Sequence, residues 1–358
     1  MKAVLVSLFV IVIGLPLAAN LAGVDGADPG AEHRDLAAFH WDTPAAWFED
    51  HFGFRAALIR WYGESRLFGL GVSPSTAVAK GRDGWLFYAD DSSLDDYARI
   101  DPMTPDAIAN WREATVRARD WLAARHVPYI FTVAPDKHVL YPEELPAGLV
   151  QVGDLSRTDQ LYTALQDLSV AVDVRPALFA ARSRERIYQR TDTHWNDRGA
   201  LVAYQEIINA VRRRVPSTPP AWTRDDFEAV DRDVPAMDLG RMIGLSRVLR
   251  ETNMTLVPRR PRRARVVDPP GAQPTDQLGR LITEIDDPSL PRALIFRDSF
   301  VSQLVPFLSE HFSRAVYLWQ NDFDPDLVTQ EHPDVVIQEI VGRHLYGFIP
   351  SPELVPDR

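Results

Sequence analysis

Two short segments, far apart in the chain, contain the residue types of a Ser-His-Asp catalytic site. In the segment 191–195, Asp192 lies two residues before His194. In the other segment, Ser299 closely follows the apolar run 293–296, which has the pattern of a buried strand that leads into a helix. A histidine can take the serine proton, an aspartate can orient the histidine, and a strand-to-helix turn can expose the serine hydroxyl. Together the two segments predict a nucleophilic serine.

Each of these residues also has an ordinary structural interpretation. Ser299 could cap the helix that follows it, and a lone His194 is most often a surface histidine or a satisfied core histidine. Asp192 favours catalysis, because residues i and i+2 of an extended segment point the same way, so its carboxylate can reach the imidazole. A metal site is the weaker interpretation, since no second histidine pair at ligand spacing lies nearby. We therefore predict no metal and no other cofactor.

Three further residues could line the same cleft. Lys137 follows Asp136 at the end of a predicted strand. It could hold a carboxylate or pair with Asp192, and a solvated loop lysine is an equally good interpretation. Tyr88 and Trp195 could present flat faces to sugar rings, with packing in the core as the ordinary alternative.

The elements that must position these residues alternate between strands and helices, which predicts an α/β fold. We predict helices over 104–125, 155–168, 199–215 and 300–312, and strands over 127–133, 170–174, 293–296, 315–319 and 335–338. The turn at Asp83-Gly84 predicts a hairpin over 78–88. Such alternation implies a parallel sheet flanked by helices. Ligands of these sheets bind at the carboxyl ends of strands, where Lys137 and Ser299 lie.

Three segments are predicted along the chain. Residues 1–24 contain an uncharged apolar run from Ala3 to Ala19, long enough to span a bilayer as a signal anchor. Residues 25–40 are polar and mixed, which is typical of a linker. We expect residues 41–358 to form one domain with an irregular, proline- and arginine-rich insertion at about 216–290.

The flanks of the apolar run predict the location of the protein. Lys2 precedes the run and acidic residues follow it, so the positive-inside rule places the body outside the cytoplasm, periplasmic or at the cell surface. A cleaved signal peptide is the alternative, because residues 16–19 could precede a cleavage site. The charged region before the run is minimal and the cleavage pattern is imperfect, which favours the anchor. Either interpretation exports the body.

Composition excludes some classes of function. The 358 residues are 46% hydrophobic, which is enough for a large core. The net charge of -11 argues against nucleic acid as a partner, because such binding depends on basic groups at phosphates. The chain contains no cysteine, which removes disulfides, thiolate nucleophiles and cysteine-ligated metals.

A series of short motifs resembles one protein family. The chain is similar to the SGNH-hydrolase-like polysaccharide (alginate) O-acetyltransferases of the AlgX/AlgJ type over roughly residues 41 to 345. Any single motif is weak, and their order and spacing together are specific. The matching motifs lie at 50–55, 81–88, 134–137, 141–143, 191–195, 199–200, 237–239, 297–300 and 333–337.

The resemblance implies a triad of Ser299, His194 and Asp192 on an SGNH-like sheet with a permuted order of the catalytic segments. It also implies an N-terminal helix that tethers the enzyme to the cytoplasmic membrane. A membrane-bound O-acyltransferase partner would supply the acetyl donor, and an exported or cell-surface polysaccharide would accept the acetyl group.

The chain departs from the family pattern at two positions. Arg297 stands before Asp298, where the family usually has glycine, and this bulky residue could alter the approach to Ser299. Near the C-terminus, the family tends to have a Glu-Arg pair. This chain keeps the arginine as Arg343 and has glycine in place of the glutamate. We expect Arg297 or Arg343 to contribute, with the Ser299 amide, to an oxyanion site.

Two other functions fit the same residues. A polysaccharide acetyl esterase would use the same triad with water as the acceptor. A non-catalytic scaffold of an exopolysaccharide export or modification complex is the alternative of another class, and Arg297 is the feature that favours it.

Overall fold

The structure, a computed structural model, describes residues 2–24, 38–267 and 279–356. The predicted linker therefore lies outside the described residues except at 38–40. The chain separates into two compact units. The first comprises Met1–Tyr88, Arg190–Asp192 and Asp233–Glu251, and the second comprises Ala89–Gln189, Thr193–Arg232 and Thr252–Arg358.

The first unit contains a long apolar helix, shorter helices and a hairpin. Its elements are α1 (Lys2–Leu21), α2 (Pro44–His51), α3 (Arg55–Glu64), a π-helical turn (Ser65–Gly69), β1 (Val78–Lys80), β2 (Leu86–Tyr88) and α10 (Asp238–Met242). The strands pair antiparallel across the Asp83-Gly84 turn, as predicted. Leu67, Leu86 and Leu239 contribute to the core of this unit.

Helix α1 is the one helix of the described residues that is long and apolar enough to cross a membrane, with a mean hydropathy of 2.5. It fits the predicted signal anchor. A signal sequence near an N-terminus has the same length and composition.

A six-stranded mixed sheet forms the centre of the second unit. Its order is β3-β10-β8-β9-β7-β6. The strands are β3 (Tyr129–Ala134), β6 (Arg265–Val266), β7 (Leu281–Glu284), β8 (Arg292–Arg297), β9 (Arg314–Trp319) and β10 (Val335–Val341). The strands β3, β10, β8 and β9 are parallel, as predicted, whereas β7 and β6 join antiparallel at one edge. The central strand β10 is buried throughout, which explains its nearly continuous apolar sequence.

Helices flank this sheet. They are α4 (Ser93–Ala98), α5 (Pro105–Ala123), α6 (Lys137–Leu140), α7 (Arg157–Leu165), α8 (Arg175–Arg182), α9 (Asp197–Arg214), α11 (Val305–Leu308) and α12 (Pro325–Glu331). Helix α5 begins as predicted, because the Thr104 side chain accepts a hydrogen bond from the Ala107 amide. Trp111 of α5 then packs against Phe131 of β3, with ring centroids 5.6 Å apart.

The described residues of the segment 216–290 are more regular than expected. They contain β4 (Phe227–Pro235) and β5 (Arg250–Pro258), which pair with each other, and also α10, β6 and β7. The prediction of irregular structure was wrong because β4 is exposed along most of its length. An exposed strand needs no apolar alternation, so its sequence lacks the usual signal.

Two other elements are shorter than predicted. The helix expected over 300–312 is divided into a 3-10 turn at Phe300–Gln303, α11 and a second 3-10 turn at Ser309–His311. Pro306 lies in the first turn of α11, where a proline can begin a helix but cannot continue one from the preceding turn. The strand expected over 170–174 is reduced to one parallel bridge between Ala171 and Phe131.

Candidate active site

The carboxyl ends of the parallel strands meet at one edge of the sheet. Val341 of β10 pairs with Ala134 of β3, and Arg297 of β8 pairs with Trp319 of β9. The segments that leave these strands therefore begin beside one another. In α/β proteins, ligands bind at this edge of the sheet.

Ser299 lies in the turn that joins β8 to the following 3-10 helix. The neighbouring Asp298 fixes this turn: its Oδ1 accepts from the Phe300 amide at 2.9 Å, and its Oδ2 accepts from the Val341 amide at 2.6 Å. Ser299 occupies the N-cap position, but its side chain makes no capping hydrogen bond. The capping interpretation of Ser299 is therefore wrong, and its hydroxyl points elsewhere.

The Ser299 hydroxyl meets His194. Its Oγ lies 2.8 Å from His194 Nε2, and both residues are half-buried. Thr193 Oγ1 lies 3.1 Å from His194 Nδ1 and is one partner of the second ring nitrogen. The ring of Phe300 packs on the imidazole with centroids 4.8 Å apart. A serine hydroxyl at this distance from an imidazole nitrogen can lose its proton to it.

Trp195 joins the two segments. Its indole Nε1 donates to the Phe300 carbonyl oxygen at 3.1 Å, and its ring packs edge-on against that of Phe300. The indole is buried. Trp195 thus holds the serine turn against the histidine segment. The burial of the indole does not support the predicted contact with a sugar ring.

Asp192 belongs to the first unit, and the boundary between the units falls between Asp192 and Thr193. Its side chain is buried. Thr191 is held within that unit by Glu251, whose Oε2 accepts from the Thr191 amide at 2.8 Å and from its hydroxyl at 3.0 Å. The role of Asp192 in orienting the imidazole stays a prediction.

A buried pair of carboxyl groups lies next to the turn that carries Ser299. Glu339 Oε2 accepts a hydrogen bond from the Asp298 amide at 3.2 Å. Burial, together with the charge of Asp298, raises the pKa of Glu339 well above its usual range. Burial also opposes ionisation of Asp298. His344 and the Phe300 and Val341 amides outweigh that burial and lower the pKa of Asp298. Burial thus favours the neutral form of Glu339, whereas the hydrogen bonds to Asp298 favour its ionised form.

Sequence reasoning missed both carboxyl groups of this pair. A signal for Glu339 was present, because an acidic residue stands within the largely apolar strand β10. Its partner could not be identified without the sheet order that places β10 beside β8.

The residues after β3 and β10 are joined by a salt bridge. The Arg343 guanidinium donates to Asp136 Oδ1 and its amide to Asp136 Oδ2, both at 2.7 Å. Both residues are buried, and the guanidinium carbon lies 5.4 Å from the centre of the Phe300 ring. Lys137 is buried as well and donates to the Gln189 carbonyl oxygen at 3.1 Å. The interpretation of Lys137 as a solvated loop lysine is therefore wrong.

Arg297 contacts the turn that carries Ser299. Its Nη1 donates to Ser302 Oγ at 3.0 Å and to the Asp298 carbonyl oxygen at 3.1 Å. Its guanidinium carbon lies 4.3 Å from the centre of the Trp319 ring. The structure thus places Arg297 next to the serine turn, and its predicted role at an oxyanion stays a prediction. Tyr88, at the end of β2, packs against the core of the first unit.

Comparison with known proteins identifies the family. A family model described as "SGNH hydrolase-like domain, acetyltransferase AlgX" matches residues 78–324. The chain belongs to the AlgX family. It is therefore a member of an acetyltransferase family with an SGNH-like α/β fold, as its motifs predicted. Ser299, His194 and Asp192 all lie within the matched segment, whereas Glu339 and Arg343 follow it.

Curated relatives of this AlgX-family chain carry the name "Probable alginate O-acetylase AlgJ". The protein of Pseudomonas syringae pv. tomato is 30% identical over 143 residues, which are 39% of this chain and 34% of the relative. That of Pseudomonas putida is 31% identical over 146 residues, 38% of this chain and 34% of the relative. The chain thus spans about a third of the length of the curated relatives it matches.

A solved structure supports the fold. "Bacillus cereus PatB1 with sulfonyl adduct" superposes with a TM-score of 0.55 over 76% of this chain and 96% of that protein. The two sequences are 15% identical. At this identity the similarity concerns the fold alone.

Proposed function

We propose that the protein transfers acetyl groups to hydroxyls of an exported or cell-surface polysaccharide through an acetyl-serine at Ser299. The observation that carries the proposal is the 2.8 Å distance between Ser299 Oγ and His194 Nε2 at the carboxyl edge of the sheet. Membership of an acetyltransferase family supports acetyl as the transferred group.

The first half of the reaction forms the ester. His194 Nε2 takes the Ser299 proton as Oγ bonds to the acetyl carbon of the donor. The bond between the acetyl carbon and the donor's leaving group then breaks, and that group receives the proton from His194. Asp192 would stabilise the imidazolium that forms in between. The oxyanion would lie against the Ser299 amide, with Arg297 or Arg343 as the further candidate donors.

The second half transfers the acetyl group. His194 takes the proton of a sugar hydroxyl, whose oxygen bonds to the acetyl carbon, and the bond to Ser299 Oγ breaks as the proton returns to it. Water in place of the sugar would make the protein an acetyl esterase. Both reactions use the same groups, so the acceptor that is admitted to the half-buried site decides between them.

We further propose that α1 anchors the protein in the cytoplasmic membrane with the body outside. The length and hydropathy of α1, together with Lys2 before it, support this orientation. A membrane-bound O-acyltransferase would then present the acetyl donor at the outer face of the membrane. The triad does not specify which polysaccharide is acetylated or at which hydroxyl; the partner and the acceptor determine both.

Covalent labelling tests the nucleophile. The full-length protein in detergent is incubated with a chromogenic acetyl ester, and its peptides are analysed by mass spectrometry. We expect an acetyl group on the Ser299 peptide, its loss in Ser299→Ala, and its retention in Ser289→Ala, a matched change of an exposed turn serine. Ester turnover in Ser299→Ala should fall by about 10³-fold or more.

The same samples separate transfer from hydrolysis. Oligosaccharides added to the labelled protein should collect the acetyl group faster than water does. Release as acetate at an unchanged rate would indicate an esterase. Undiminished turnover in Ser299→Ala would rule out Ser299 as the nucleophile, and a wild-type protein that acquires no label would favour the scaffold.

A further inference from the structure

Helix α3 exposes apolar side chains that a water-soluble surface would rarely present. Its buried residue is Gly63. Leu58 and Trp61 lie three positions apart on one side of the helix, preceded by Phe54, and these side chains are 45%, 68% and 41% exposed. Phe68, just beyond the helix, is exposed as well. A contiguous aromatic surface of this kind marks a contact with a partner or a membrane.

The corner between α2 and α3 is attached to the end of α1. Gly53 donates its amide to the Pro16 carbonyl oxygen at 3.2 Å, and Asn20 Nδ2 donates to the His51 carbonyl oxygen at 2.6 Å. A Cβ atom at Gly53 would lie 2.5 Å from the Ala19 Cβ. Glycine is therefore required where the corner approaches α1 so closely.

The length of α1 determines the depth of this corner in a membrane that α1 spans. Its 20 residues extend about 30 Å, which matches the hydrocarbon thickness of a bilayer. Residues 16–20 form the last turn and a half of α1, so they lie near the outer boundary of the hydrocarbon region. The start of α3 is held at the same level, where tryptophan and other aromatic residues are enriched in membrane proteins.

A basic cavity lies beside the exposed side of α3. It has a volume of about 570 Å³ and lies within the first unit. Arg55, Ile59 and Tyr62 line it from α3, at spacings of four and three residues that place them on one face. Arg60 and Arg247 also line it, and the described lining residues include no aspartate or glutamate. Guanidinium groups in apolar surroundings suit a phosphate group attached to a lipid.

We propose that α3 lies in the membrane–water interface beside α1, with Phe54, Leu58 and Trp61 among the lipids and the basic cavity facing lipid phosphates. The inference rests on the membrane anchoring by α1 proposed above. The attachment of the α2–α3 corner to α1 and the positive charge of the cavity both indicate that the bilayer contacts this surface. An aromatic side with adjacent basic residues is the pattern of interfacial helices.

Depth measurements on the full-length protein test this placement. The chain has no cysteine, so a single introduced cysteine carries a unique spin label. We would label Ile11→Cys in α1, Trp61→Cys in α3 and Arg82→Cys in the exposed hairpin turn, in vesicles of phosphatidylcholine with phosphatidylglycerol. Collision with oxygen and with a water-soluble nickel complex then reports the depth of each label. We expect the label at 11 to be deep, that at 61 to be interfacial and that at 82 to be in water.

The three labels distinguish the possible failures. A deep label at 11 with a water-exposed label at 61 would overturn the interfacial placement and leave the anchor in place. A water-exposed label at 11 would overturn the anchor and this inference with it. Equal depth at 61 and 82 would also overturn it, because the aromatic side of α3 would then have no special position.

Lipid charge provides a second readout. The label at 61 should be immersed more deeply in vesicles that contain phosphatidylglycerol than in phosphatidylcholine alone, because the arginines attract anionic headgroups. Arg60→Gln with Arg247→Gln should abolish this difference, whereas Arg82→Gln should keep it. A difference that survives the double substitution would refute the role of the basic cavity.

Discussion

At the scale of single residues, the turn that carries Ser299 depends on carboxyl groups that bind backbone amides and not the Ser299 hydroxyl. Asp298 accepts hydrogen bonds from two backbone amides and so fixes this turn. Glu339 supports it from β10, and its pKa is raised by its burial and by the charge of Asp298. The motif Arg297-Asp298-Ser299 thus combines the candidate nucleophile with the residue that positions it.

The raised pKa of Glu339 predicts a dependence of stability on pH. A carboxyl group whose pKa is higher in the folded than in the unfolded protein stabilises the fold fully below its unfolded pKa of about 4.3. That contribution is lost as pH rises toward the folded pKa. Glu339→Gln keeps an acceptor for the Asp298 amide and cannot ionise. Relative to this variant, the wild type should therefore lose free energy of unfolding as pH rises above about 4.3.

Urea unfolding at several pH values measures this difference. Glu353→Gln, a change of an exposed glutamate near the C-terminus, serves as the control and should follow the wild type throughout. A constant difference between wild type and Glu339→Gln at all pH values above about 4.3 would contradict a raised pKa of Glu339.

At the scale of elements, the histidine segment is placed by the start of α9. Asn196 Oδ1 accepts from the Arg198 and Gly199 amides at 3.0 and 3.1 Å, and its Nδ2 donates to the Arg186 carbonyl oxygen at 2.8 Å. One side chain thus caps the helix and fixes the loop that leads to His194. Asparagine is among the residues preferred as helix N-caps, whereas the bond to Arg186 depends on the loop conformation.

Substitutions of Asn196 should separate these two contributions. Asn196→Asp keeps the capping acceptor and loses the bond to Arg186, whereas Asn196→Ala loses both. We expect alanine to be about 1 kcal/mol less stable than aspartate, from the lost cap. Urea unfolding measures the stabilities, and ester turnover reports whether His194 is displaced. Equal stability of the two variants would show that the cap contributes nothing.

At the scale of the whole molecule, the chain combines an acidic body with an apolar N-terminal helix. The bonds of α1 to the corner at His51 and Gly53 would be lost if a protease removed the helix. These contacts favour an anchor that stays attached over a cleaved signal peptide.

The intact mass of the protein in bacterial membranes checks this prediction. We expect the full chain of 40.4 kDa in the membrane fraction, resistant to extraction with alkaline carbonate. Asn20→Leu removes the bond to His51 and should leave the mass and the fractionation unchanged, because the apolar length of α1 is kept. A shorter chain that begins near residue 20 and fractionates as soluble protein would establish cleavage.

The sequence by itself determined the features that arise from local pattern and ordered motifs. Apolar runs predicted β3, β8, β9 and β10 because fully buried strands need continuous apolar sequence. The Asp83-Gly84 turn predicted the hairpin, and the spaced motifs predicted the family.

Only the tertiary structure decided which distant side chains meet. The contact of His194 with Ser299, the pairing of Glu339 with the Asp298 amide and the salt bridge of Arg343 with Asp136 all join segments far apart in the chain. They depend on the strand order of the sheet, which no local pattern encodes. The pKa of Glu339 likewise depends on burial and on its neighbour, and both exist only in the folded protein.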